Sequence, residues 1–171
     1  GLTSLILLYY SVLIRYGKQA AVFTLLLYIG SITPHFYFKS GIIDPIFNLF
    51  IFTGILFLVK SIETSKVSNF FWSGLFLGLA VLTKGPVAIL ITGLVGLAYQ
   101  VVYGSSFYSF KSLVLLLAGL SLVPGAYFGI QVYHSGLWFL QEFVIYNLDL
   151  FRYPISSHGQ PFYYHIVVLL L

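Results

Sequence analysis

Cysteine is missing from these 171 residues, and charge is scarce: eight Lys or Arg and four Asp or Glu make up 7% of the chain. The first absence excludes disulfides and thiolate-held metals, and says nothing of compartment. The second excludes an ordinary soluble domain, where about a quarter of residues are charged. Catalytic signatures are missing as well. There is no G-x-S-x-G, no Ser–Lys pair at its usual spacing, no H-E-x-x-H, no Walker loop and no G-x-G-x-x-G. The net charge of +4 is spread over several loops and gives no support to nucleic-acid binding. No basic n-region accompanies Gly1, so no signal peptide is expected.

What is present is continuous apolarity. Sixty per cent of residues are hydrophobic and the mean hydropathy is +1.01. Several runs approach the roughly 17–25 residues that cross a bilayer as a helix. A β-barrel would show alternating segments of about ten residues instead. The fold class expected is all-α, a polytopic helical membrane protein. The chain opens inside one apolar run and stops inside another, which predicts an internal stretch of a longer protein. Spans are expected at about 1–14, 20–38, 45–59, 70–83, 86–103, 112–130 and 162–171, the first and last truncated. An external segment, 131–161, separates the last two.

The connections alternate between two faces. One carries Arg15, Lys18, Lys60, Lys66 and Lys111; the other carries Lys39, Lys84 and Arg152. Five basic residues against three place the first face in the cytoplasm. Every acid except Glu63 belongs to the opposite face, so chemistry is expected outside the cytoplasm. No ionisable group marks the middle of a span, which argues against an ion or proton pathway.

On that outer face, "LTKGP" (82–86) interrupts a long apolar stretch. The run 70–83 is only about 21 Å long as a helix, so it delivers Lys84 to the membrane boundary. Lys84 can snorkel to headgroups, or stand as a fixed cation for a lipid-linked phosphate. Pro86 opens the next helix, whose positive dipole end suits an anion. In "GIIDP" (41–45), Asp44 reads as the N-cap of a helix with Pro45 at its first position, or as a carboxylate aimed at substrate or metal. Within 131–161, the stripe 137, 140, 144, 148, 151 predicts an amphipathic surface helix near 137–151. Glu142 and Asp149 share one of its faces, as solvated charges or as part of a cavity. Arg152 suits a phosphate or a pairing with Asp149. His158 lies in a Ser/Gly/Pro turn, and Tyr163 and Tyr164 form an aromatic belt or a platform for a sugar ring. Gly74 and Gly78 form a GxxxG, most simply a close helix contact.

"GIIDP", "GLFLGLAVLTKGP" and "HGQPFYYH", in this order on one face, resemble the GT-C glycosyltransferases of the protein O-mannosyltransferase type. The resemblance is closest to the bacterial branch that includes the lipid A aminoarabinose transferase, and it covers nearly the whole chain. It implies a GT-C type transmembrane bundle in a bacterial inner membrane, working at the extracytoplasmic face. It implies transfer of a sugar from a polyprenyl-phosphate carrier to a lipid, glycan or protein acceptor. Lys84, Arg152 and His158 would then hold the donor phosphate. Asp44 would match the acid at the start of the fourth span and act in catalysis, while Glu142, Tyr163 and Tyr164 would line the cavity. Asp44 and His158 could add hard ligands for a divalent ion. The family's principal carboxylate lies in a first external loop expected upstream of Gly1, so this stretch alone is expected to be inactive. Two other classes stay open: a carrier or flippase for lipid-linked sugars, and a non-catalytic membrane subunit. The subunit reading predicts that Lys84, Asp44 and His158 point apart.

Overall fold

The computed structural model describes residues 1–103 and 109–152. Among the described residues seven helices follow in order: α1 (Leu2–Gly30), α2 (Ile32–Lys39), α3 (Asp44–Thr64), α4 (Ser68–Lys84), α5 (Val87–Tyr103), α6 (Phe110–Ser135) and α7 (Trp138–Arg152). No strand occurs among the described residues. The chain divides into two units, 1–127 and 128–171, with the boundary inside α6. The helices outrun the apolar runs that announce them. α3 continues past Val59 to Thr64, and α6 continues past Ile130 to Ser135. Apolarity marks what lipid can cover, whereas helical hydrogen bonding carries on into the polar boundary.

Leu2–Gly30 counted end to end, Asp44–Thr64 and Phe110–Ser135 are each, by length and composition, long and apolar enough to cross a membrane. The first of them is not straight. Gly17 sits at φ 83°, ψ 175°, a region open essentially to glycine alone. The chain reverses there. Gly1 lies beside the ring of Phe38, which a continuous 29-residue rod could not reach. The break falls in the polar gap expected between the first two runs. The second expected run, 20–38, is itself divided at Ser31, where extended backbone (φ −76°, ψ 133°) separates α1 from α2. His35 Nε2 donates to the Ile29 carbonyl at 2.7 Å, satisfying one of the acceptors that a helix end leaves orphaned.

The densest packing joins α3 and α4. Ser73, fully buried, donates to the Gly54 carbonyl at 2.8 Å, and Leu77 covers Gly54 directly. Phe57 and Phe76 stack with centroids 5.7 Å apart. Toward the Asp44 end, Phe47, Ile51, Ala80 and Ala88 form a buried cluster shared with α5. At the other end, Arg15 grips both carboxylate oxygens of Glu63 from one nitrogen, each at 3.1 Å.

Gly74 and Gly78 do make a close helix contact, and their partner is α6. A Cβ on Gly74 would lie 2.1 Å from the Leu116 carbonyl oxygen, and one on Gly119 would lie 2.2 Å from that of Phe71. Gly78 meets Leu120 and Pro124. The register rises together along both helices, so α4 and α6 run parallel. Small residues let two backbones touch where lipid supplies no hydrophobic drive for association.

In the second unit, Gly136 (φ 78°) turns the chain into α7. Phe128 packs on Phe143, with ring centroids 4.8 Å apart. The buried Asn147 amide donates to the Phe143 carbonyl at 2.8 Å. α7 is the most amphipathic of the seven helices, and Trp138, Ile145 and Tyr146 stay exposed on it.

Candidate functional site

The rim of the first unit is built by two helix ends. α3 starts at Asp44 with Pro45 in its first turn, where a missing N–H costs nothing. Asp44 is not the N-cap that "IIDP" suggests. Ile43 holds that place, and no side chain caps the helix. The carboxylate turns instead to Lys84, because an ammonium is a stronger partner than a neutral backbone amide. α4 arrives from the opposite direction and stops at Lys84. Gly85 ends it at φ 68°, ψ −152°, with its N–H donating to Val81 at 2.7 Å. Thr83 bonds back to the Ala80 carbonyl.

The result is an ion pair between residues forty positions apart, Lys84 Nζ donating to Asp44 Oδ1. Phe47, one helical turn beyond Asp44, is buried beneath them. Its ring centroid is 5.2 Å from Nζ, within cation–π range. Both charged side chains are 33% exposed. That value matters, because the pair is fixed by its surroundings yet open to an incoming anion. The first turn of α5 begins within three residues of Lys84, where Ile89 and Leu90 donate to the Pro86 carbonyl. Its positive dipole end adds to the local field.

Gly85 is what aims Lys84. Its conformation is one that L side chains avoid. Gly85→Ala is expected to cost about 1–3 kcal/mol of stability and to raise the KM for any anionic ligand of Lys84. Thermal unfolding and substrate titration of the variant check both effects.

The other expected site residues are placed differently. Glu142 lies on an exposed face of α7, in the second unit. Arg152 is the last residue of α7, and its side chain is not among those described. His158, Tyr163 and Tyr164 lie outside the described residues. Lys84 and Asp44 therefore converge, where the subunit reading has them pointing apart. Phe47 carries no motif that marks it in the sequence, although its i+3 spacing from Asp44 puts both on one helix face. Among the described residues no three His, Asp or Glu side chains come together as metal ligands. A cavity of about 640 Å³ opens on the other flank of α3, lined by Pro45, Asn48, Phe52, Ser4, Tyr28 and Tyr37. Neither Asp44 nor Lys84 belongs to its wall.

Apolar helices with their charges gathered at the ends define a multi-pass membrane protein. The family described as dolichyl-phosphate-mannose-protein mannosyltransferase matches residues 1–128, which is 128 of the 171 positions, and the chain belongs to that family. It is thus a glycosyltransferase-family protein of the GT-C type. The match ends at the boundary of the first unit, so it includes Asp44 and Lys84 but not Glu142, Arg152 or His158. No curated protein and no solved structure gives a significant match.

Proposed function

We propose that this chain forms the donor-phosphate side of an enzyme that moves a sugar from a polyprenyl-phosphate carrier to an acceptor, at the extracytoplasmic face of a bacterial cytoplasmic membrane. The observation that carries the reading is the Lys84–Asp44 pair: a cation delivered to the rim by a helix end, seated on an aromatic ring and still partly open. The carrier lipid would stay in the bilayer with its phosphate at the depth of Lys84.

As the bond from the anomeric carbon to the phosphate breaks, negative charge grows on the phosphate oxygens. An oriented ammonium stabilises that charge without having to reorganise. The acceptor hydroxyl forms the new bond and gives its proton to a carboxylate base. Asp44 holds Lys84 in place until the phosphate takes the ammonium over. Arg152 and His158 are proposed as further phosphate partners, and Glu142, Tyr163 and Tyr164 as walls of the sugar cavity. The sidedness rests on the basic residues of the opposite end, where Arg15 and Lys60 stand with Lys18, Lys66 and Lys111.

The test is transfer of radiolabel from a polyprenyl-phosphate sugar in membranes containing the full-length protein. Label is expected to reach an acceptor in the wild type, and Asp44→Asn is expected to slow it about tenfold or more while protein levels hold, by the measure of an oriented electrostatic contact. Donor that binds without any transfer, in wild type and variant alike, would overturn the reading in favour of a carrier.

A further inference from the structure

At the end of the first unit opposite Lys84, the outgoing half of α1 runs alongside α3 without closing against it. The faces that should interdigitate, with Leu7 and Ile14 on one helix and Leu56 and Phe57 on the other, leave a cavity of about 360 Å³. That falls within the usual size of a ligand pocket. Its walls are mostly apolar, with the hydroxyls of Tyr10, Ser11, Thr53 and Thr64 among them, and its charged residues, Arg15, Lys60 and Glu63, stand at the mouth. Glu63 takes the fork of Arg15 and bridges the two helices. Lys60, one turn before Glu63, is exposed at the same mouth and has no ion-pair partner among the described residues. Lys18, Lys66 and Lys111 belong to the same end of the first unit, and Glu63 is the one acid at that end among the unit's described residues.

An apolar slot between membrane helices with a cationic mouth matches one chemistry: a hydrocarbon chain ending in an anionic headgroup. Basic pockets between transmembrane helices hold the headgroups of acidic lipids in this way. We propose that this cleft binds one anionic phospholipid of the surrounding bilayer, an acyl chain against Leu56 and Phe57 and the phosphodiester on Lys60 and the open edge of Arg15. Glu63 then does two things at once. It ties α1 to α3, and it lowers the positive charge that the lipid sees, which keeps the headgroup exchangeable. The site is independent of the donor site, lying at the other end of α3.

Native mass spectrometry of the full-length protein tests this, with phosphatidylglycerol and phosphatidylcholine of identical acyl chains as probes. Phosphatidylglycerol is expected to bind at least about fivefold tighter, and Lys60→Gln to remove about fivefold of that affinity, the usual contribution of one basic residue beside an anionic membrane surface. Glu63→Gln is expected to tighten phosphatidylglycerol and leave phosphatidylcholine unchanged, a sign opposite to that of a purely structural contact. Equal retention of the two lipids, or a preference that survives Lys60→Gln, would overturn the proposal. Should Glu63→Gln fail to fold, the exposed Lys60→Gln decides alone.

Discussion

Lys84→Ala is expected to lower kcat for sugar transfer by about 10²–10³-fold, the range for removing one preorganised donor of transition-state stabilisation. Two effects combine in that loss. The ammonium no longer meets the charge growing on the departing phosphate. Asp44, deprived of its partner, is left as a bare carboxylate at the rim, where it repels the same phosphate. The two contributions separate in a double variant. Lys84→Ala with Asp44→Asn removes the repulsion, so the KM for donor should recover toward wild type while kcat stays low. Steady-state kinetics on the single and double variants read the pattern directly. A lysine that merely anchors a helix end among headgroups predicts something else: kcat within about twofold of wild type in every variant, as for surface substitutions generally.

Gly119→Ala is expected to destabilise the bundle by about 3 kcal/mol or more, at the upper end of what overpacking costs. The added Cβ would stand 2.2 Å from the Phe71 carbonyl oxygen and 2.8 Å from the Leu75 nitrogen. Both are backbone atoms held inside a helix, so α4 and α6 would have to separate along the whole contact. Gly74→Ala meets the Leu116 oxygen at 2.1 Å and should behave alike. Gly125 provides the control on the same helix, with nothing within 4 Å of its added carbon. Gly125→Ala should be neutral or stabilising by up to about 1 kcal/mol, since alanine favours a helix over glycine. Thermal unfolding in one detergent would rank the three, and a Gly119→Ala protein as stable as Gly125→Ala would show that the helices do not touch there.

How far the sequence could be read follows from the range of each signal. Lys84 at a helix end was legible, since the shortness of 70–83 and the Gly85-Pro86 breaker are local facts. So was the turn between the first two runs, because Arg15 and Lys18 interrupt the apolarity. The pairing of Lys84 with Asp44 was not. Two rim residues on separate helices face each other only once the register of α3 against α4 is set, and Ser73, Gly54 and Leu77 set it inside the core. From the sequence, Asp44 before Pro45 therefore reads equally as a cap or as a carboxylate aimed at substrate or metal, with no sign of Lys84 as its partner. The GxxxG announced a contact without naming its partner. Gly119 is a single glycine in an apolar run, with no local pattern to mark it as the receiving surface. The membrane-length runs told where lipid covers the helices and left open where each helix ends.

The parallel contact between α4 and α6 also fixes an order of biogenesis. α3 and α4 are consecutive and can zip together as soon as both have left the ribosome, with Ser73 bonding Gly54 across them. Gly74 and Gly78 then face the bilayer with two bare stretches of backbone until α5 has been threaded back and α6 has followed. In the interval the backbone of α6 is not yet there to fill that groove. Membrane assembly of this chain thus has a built-in waiting step, which ends when Gly119 emerges.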